Sequence, residues 1–577
     1  MNMMMKIKNM KTLLLSAVAG CILSVSFTSC DNFLDQLPDN RTEANTEEKL
    51  EKLLVSAYPT HDHMAFTEYA SDNVDDMGAS NPNTERILDQ MYTWTDITET
   101  DNQDPERYWM DLYQCIETAN MALEGIESMG GATSRTLQEI KAEALLCRAY
   151  AHFMLVNVFA THYDAGNPSA LGVSYVTETE KELNPKYQRE TVHENYRHIA
   201  EDLETALPLV GDSYLTVPKY HFNKNAAYAF AARFYLYYEK YEKVIEYANK
   251  ILGNNPTAML RDWAVLNTMP DGSDYQQTPT TNHVIEPTLN CNLLLLTSYS
   301  GQGLYFGGFS KWHRYSHCEY IGQNETISAL GRLWGGDYTT FAMRVKRYSG
   351  SNMNAWSQWR MPFLFEYTDP VAQIGFRHTV YNAFTGDEVL LNRAEAYAML
   401  KQYDKAAADL QVWVRNTSTQ KNFAVTVDVV NTFMNGRRYS YDDANGTPKA
   451  DLNSTIKKHL HPKFTIEEEG STQENLIQLV LACRRYETLH EGKRWFDIKR
   501  WGIEIPRRVM NPAGLPETIK DWLTVDDPRR AIQIPQKVRE AGYTPNPRTT
   551  PNNAGEAAVK YLLPDSPFKG MGNYQVD

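Results

Sequence analysis

Apolar residues recur along this chain at steps of three and four. Leu112, Ile116, Ala119, Leu123 and Ile126 form one stripe, and Ile140, Ala144, Cys147, Ala151, Met154 and Val158 a second. Val192, Tyr196, Ile199, Leu203 and Ala206 form a third. A stripe at this spacing predicts a helix with one face for a partner helix.

Two later segments predict helical hairpins. Ala226, Phe230, Phe234 and Tyr237 are followed, after Glu239-Lys240, by Tyr241, Val244, Ala248 and Ile251. Leu390, Ala394, Tyr397 and Ala398 lead likewise into Tyr403, Ala406, Leu410 and Val414. Small Ala residues at close-packed positions and a Tyr at the turn resemble tetratricopeptide repeat units. More than 100 residues separate the two, so helix pairs packed into one irregular α domain are expected instead of a regular solenoid. Between and after them the period is lost. Residues 253–287 read as loops, 299–367 is dense in Gly, Trp, Tyr and Arg, 416–462 reads as an irregular insertion, and the Pro- and Asn-rich tail from 506 is expected to hold only short elements. The aromatic load near 300–360 argues against disorder and marks a surface of functional interest.

The first residues follow another logic. Lys6, Lys8 and Lys11 precede an apolar run from Leu13 to Phe27, then Thr28, Ser29 and Cys30, after which the chain turns polar. This is the plan of a secretory signal, with a cysteine as lipid acceptor at the cleavage point. Val18-Ala19-Gly20-Cys21 offers a rival box, but using it would leave apolar residues 22–27 on the tether and shorten the apolar core. No second run approaches the length of a bilayer span, so the expected membrane association is an acyl anchor at Cys30.

Composition narrows the function. Across 577 residues the net charge is −15, and the 29 residues before Cys30 carry three lysines and no acid, so the remainder is more acidic still. An acidic chain is a poor nucleic-acid binder and repels anionic ligands, which favours neutral ones. Cys115, Cys147, Cys291, Cys318 and Cys483 match no metal-ligand spacing. No cofactor is expected. His61 and His63 lack further ligands in sequence, and Asp72, Asp75 and Asp76 before Gly78 do not fit a calcium loop, leaving a structural cation there as the one metal to look for.

Several motifs, in order, carry a family resemblance. They are Cys30-Asp-Asn-Phe-Leu-Asp-Gln-Leu-Pro38; Tyr108-Trp109 through Tyr113, Ile116, Ala119 and Asn120; Glu143 to Tyr150, ending Arg-Ala-Tyr; Leu171-Gly172-Val173; Glu388 to Ala396; Arg484-Arg485-Tyr486-Glu487 with Glu491-Gly492-Lys493-Arg494-Trp495-Phe496-Asp497-Ile498-Lys499-Arg500-Trp501-Gly502; and Ile532 to Gln536. Together they resemble the SusD/RagB family of surface glycan-binding lipoproteins, over essentially the whole chain from Cys30. Ser174 and Cys483 depart from it, standing where the family often has Pro and Glu. The Arg/Glu motif reads as structural, a helix whose charges pair internally.

The resemblance implies a mostly α, single large SusD-like fold with tetratricopeptide-like helix pairs and a loop-rich region. It divides the chain into a signal peptide at 1–29, an N-terminal region at 30–230 and a C-terminal region at 231–577, the last with the aromatic segment 299–367 and a third helical hairpin at 388–415. It implies an outer-membrane, surface-exposed, lipid-anchored protein that captures an oligosaccharide or other nutrient and delivers it to a SusC-like TonB-dependent transporter without catalysis. Its expected partners are the transporter, the ligand and membrane lipid, and no nucleic acid.

Sugar recognition needs aromatic faces for pyranose C–H groups and polar side chains for hydroxyls. The N-terminal candidates are Asp72, Tyr92 and Trp94. The middle candidates are Tyr305, Trp312, Tyr315, Tyr320, Trp334, Trp356 and Trp359, with Arg314 and Asn324 as polar partners. Trp109, Trp413, Trp495 and Trp501 lie in helical motifs and are expected in the core. Two other classes stay open: a surface glycoside hydrolase, which needs two carboxylates a fixed distance apart, and a tetratricopeptide-type adaptor that binds only protein.

Overall fold

The amphipathic stripes all become helices. In the computed structural model, which describes residues 44–182, 185–269, 279–306, 313–343, 345–348 and 354–548, the first are α1 (Glu47–Leu54), α2 (Met64–Ala70), α3 (Arg86–Tyr92), α4 (Pro105–Ser128), α5 (Arg135–Phe159) and α6 (Val192–Ala206). The hairpins follow as α7 (Lys224–Tyr237) with α8 (Tyr241–Leu252), and α9 (Gly386–Met399) with α10 (Tyr403–Thr417). Then come α11 (Val427–Asn435), α12 (Thr472–Glu487) and α13 (Arg494–Arg500). Several starts carry a Ser/Thr-x-x-Glu spacing: Thr191 accepts from Glu194 N, Thr385 from Glu388 N and Ser471 from Glu474 N. Each capping oxygen satisfies an amide that the helix itself cannot.

The two hairpins turn in the same way. Glu239 and Lys401 take left-handed φ values of 60° and 58°. The next residues, Lys240 and Gln402, bond back to the carbonyls of Tyr235 and Tyr397. That five-residue return is the Schellman turn, here made without glycine. α8 packs on α9, so two pairs far apart in sequence stack as neighbouring units. α11 lies inside the segment that reads as irregular, with Val430 and Met434 buried against α12.

No strand is apparent from the sequence pattern, yet three sheets form. β1 (Asp75–Asp76), β3 (Tyr315–Ser316), β8 (Ile505–Met510) and β9 (Pro516–Leu523) make one, in the order β3-β1-β8-β9. β2 (Asn292–Ser298), β7 (Ile374–Thr385) and β6 (Leu364–Asp369) make a second, and β4 (Lys346–Tyr348) pairs with β5 (Ala355–Ser357). The first sheet matters for the site. Asp76 aligns with Tyr315 on one side and Val509 on the other, so three segments distant in sequence meet at one short strand.

The described residues from Asn45 onward pack as one unit. Trp109, Trp413, Trp495 and Trp501 are all buried, as expected, and the five cysteines from Cys115 to Cys483 are buried free thiols. Among the described residues no helix is long and apolar enough to cross a membrane. Cys21, Cys30 and Trp312 lie outside the described residues.

Candidate functional site

The motif at 484–500 supplies the scaffold. Arg484 reaches Glu395 on α9 at 2.6 Å and Asp497 on α13 at 2.9 Å. Arg485 bonds the Asn73 side chain at 2.8 Å and pairs with Asp72 at 3.3 Å and Glu325 at 3.2 Å. These charges therefore pair across elements and not within their own helix as read from sequence. Arg494 clamps Asp72 through two bonds, at 2.9 and 3.0 Å. Burial would raise the Asp72 pKa, but Arg485 and Arg494 overcome it and hold the carboxyl well below the usual range. Arg508 also clamps Asp75 through two bonds, at 2.9 and 2.8 Å, although burial there outweighs the arginine and raises the pKa, and Arg314 clamps Asp76 at 2.6 and 2.7 Å. Each aspartate before Gly78 is thus taken by a guanidinium, which supplies the positive charge a cation would have brought.

This lattice fixes the turn after α2, and the turn positions Trp94. Trp94 follows α3 with a left-handed φ of 56°, and its Nε1 donates to the Ala70 carbonyl at 2.8 Å. Beneath it lies Arg507, whose guanidinium bonds the carbonyls of Tyr69, Ala70 and Ser71 at 3.0, 2.6 and 2.8 Å. It sits between two rings, 3.8 Å from the centre of Trp94 and 4.3 Å from that of Tyr92. The site stabilises the cation with carbonyl dipoles and π faces; burial still lowers the Arg507 pKa to about 10.

The outer side of Trp94 lines a cleft of about 250 Å³. Its floor is Phe66, Ala70, Met91 and Trp94. One wall is the loop 95–104 with Thr98, Glu99 and Asp104; the other is the segment 529–548 with Gln533, Gln536, Lys537 and Arg539. Ion pairs tie the walls together: Arg548 to Asp96 at 2.9 Å and Lys537 to Glu106 at 2.5 Å. Arg529 stands over the Trp94 ring at 5.4 Å, held by Asp521 and Asp527. Carboxylates, guanidinia and amides alternate around the rim, so the cleft offers donors and acceptors together, which suits a hydroxyl-rich neutral molecule better than an ion.

The other sequence candidates are distributed differently. Tyr92 is buried, its hydroxyl bonded to Arg508 O and Asp76 N and its ring stacked on Tyr315 at 4.4 Å. Arg314 is half-buried on Asp76. Tyr305 is buried against Tyr69 and His313 and accepts from Gln103. Tyr320 accepts from Ser454 N, and Asn324 bonds back to Tyr320 O. Trp334 donates to Thr340 and packs on Phe341. Trp356 packs against Tyr338 and Arg347, so closely over Gly322 that a Cβ there would clash with the indole. Trp359 is buried under Lys346. Among the described aromatic candidates only Trp94 lines the cleft. Asp72 supports its floor from behind.

Arg507, Arg529 and the 529–548 wall are not read from the sequence as site residues, although Ile532 to Gln536 stands out as a family motif. Only the strand Ile505–Met510 shows that the adjacent Arg507 and Arg508 face opposite sides of the sheet.

Two family profiles match the chain. A SusD-like profile, described as starch-binding associating with outer membrane, covers residues 32–236, and the SusD family profile covers residues 357–565. SusD-like protein P2 of Formosa agariphila is 22% identical over 469 residues, spanning 77% of this chain and 81% of that one. A SusD superfamily protein of Bacteroides thetaiotaomicron superposes with a TM-score of 0.57 at 18% identity, covering 87% of this chain and all of its own. A SusD-like carbohydrate binding protein of Bacteroides vulgatus does so with a TM-score of 0.54 at 15% identity, over 86% and 96%. With the stacked helix pairs, the arginine lattice and both profiles in agreement, this chain belongs to the SusD/RagB family.

Proposed function

We propose that this protein is a carbohydrate-binding lipoprotein of the outer membrane. It captures a neutral oligosaccharide in the cleft over Trp94 and passes it to a SusC-like TonB-dependent transporter without chemical change. The observation that carries the reading is the cleft: an indole floor, walls of mixed donors and acceptors, and a volume of about 250 Å³ that takes a short segment of a chain. Membership of a family whose profile is described as starch-binding and associated with the outer membrane supports the ligand class and the location. The sequence at Cys30 supports an acyl anchor, which would confine the protein beside its transporter and raise their effective concentration.

Isothermal titration of the full chain in detergent against a panel of neutral oligosaccharides tests this. Saturable binding without release of reducing ends supports it. Release of reducing ends identifies a hydrolase. Absence of any saccharide binding together with tight binding to the barrel identifies an adaptor that acts through its stacked helix pairs.

A further inference from the structure

β8 and β9 have two faces, and each covers a different cavity. Arg507 and Asp521, opposite one another in the ladder, lie on the Trp94 side, where Asp521 holds Arg529. Their neighbours face the other way: Arg508 lies 5.2 Å from the Tyr320 ring, and Trp522 meets Tyr441 edge to face at 5.3 Å. Strand alternation thus separates two sites that are adjacent in sequence.

The second cavity holds about 120 Å³. Its apolar surface is the buried Tyr441 and the half-buried Trp522. Its polar rim is a Lys449–Glu504 pair at 2.8 Å, with Lys449 Nζ 5.1 Å from the indole centre, and the imidazoles of His459 and His461. His459 is fixed between Asp442 at 3.0 Å and Glu469 at 2.7 Å and stacks on Tyr439 at 4.3 Å. Tyr441 and Lys449 both hold left-handed φ values, 70° and 57°. Tyr441 is locked there by bonds from its N to Asn453 O and from Asp451 N to its O. Non-glycine residues in that region cost free energy that the surrounding structure must supply. Lys449 and His459 have acidic partners, so the rim presents donors and acceptors together.

We propose that this cavity is a second saccharide site. It takes a single neutral pyranose ring, with C–H groups on Trp522 and Tyr441 and hydroxyls on the Lys449–Glu504 pair and His461. The volume is about half that of the Trp94 cleft, room for one ring where the cleft has room for two. The proposal takes its ligand class from the carbohydrate reading above but uses none of the Trp94 cleft residues.

Saturation-transfer NMR on the full chain, with D-glucose, D-galactose, D-mannose and N-acetyl-D-glucosamine at millimolar concentration, tests it. At least one sugar should receive saturation from the wild type and from Trp94→Ala, and lose it in Trp522→Ala. Glu504→Gln, which keeps the shape of the half-buried Glu504 and removes its charge, should weaken binding at least threefold. Transfer that survives Trp522→Ala, or that reaches no sugar in the wild type, overturns the second site. The two readings fail separately. Oligosaccharide binding with unchanged monosaccharide transfer in Trp522→Ala removes only this site, whereas absence of oligosaccharide binding in titration removes the carbohydrate reading.

Discussion

Two regions of this protein are rich in aromatic residues without a helical period, and they differ in what the rings do. In 315–359 the rings pack inward. Trp356 lies under Arg347 and over Gly322, Trp359 under Lys346, and Trp334 against Phe341. Short strands and single-turn helices build a core there from pieces too brief to show a stripe. The Trp94 ring is buried to the same degree, 6% exposed, but it differs in bordering a cleft while packing on the buried Arg507 guanidinium. Aromatic density in an aperiodic segment therefore marks packing as readily as recognition. What distinguishes the Trp94 region is the set of mixed charges on both cleft walls, contributed by segments more than 400 residues apart.

Substitutions can break this contrast. The largest effect is expected at the support of the cleft: Arg485→Ala leaves Asp72 and Glu325 with a buried partner missing and should cost about 3–5 kcal/mol in denaturant unfolding. Trp356→Ala should cost about 3–5 kcal/mol by opening a cavity, while the folded fraction binds oligosaccharide as before. A selective loss of binding in that variant would move the site into the 315–359 region. Acid should loosen the helix pairs by a separate route. Burial alone would raise the pKa of Glu388, but Arg233 and Lys493 outweigh it and depress the folded value from 4.5 to about 2. The stabilisation is then present above pH 4.5 and lost as pH falls towards about 2, and Glu388→Gln should flatten a melting profile across that window. The smallest effect belongs to the cleft rim. Lys537→Ala removes the exposed lysine of the pair with Glu106 and should leave the melt unchanged. It removes one wall donor, so a severalfold weaker titration with an unchanged melt is expected.

The helices were legible where one face is buried, as in α8 and α10, and the hairpins because α7–α8 and α9–α10 repeat the same stripe, turn and Tyr, although α7 and α9 are buried nearly all round. The strands were not. β2, Asn-Leu-Leu-Leu-Leu-Thr-Ser, is buried on both faces apart from Thr297, so it shows no alternation to separate it from a helix segment. α11 was hidden in a stretch whose composition reads as loop, since only Val430 and Met434 are buried. Trp94 was legible as a candidate, but its value depends on Arg507, Arg529 and Arg548, which come from a tail whose Pro and Asn content suggests little structure. Asp72 shows the converse limit. An aspartate that binds a sugar hydroxyl and one that holds two arginines look alike in sequence, and only the fold brings Arg485 and Arg494 to it.

The central claim is that the cleft over Trp94 holds the oligosaccharide. Isothermal titration of the wild type and Trp94→Ala with the tightest ligand of the panel, scaled to the folded fraction of each, tests it most directly. At least a tenfold loss of affinity is predicted for Trp94→Ala, and equal affinity in the two proteins would contradict it.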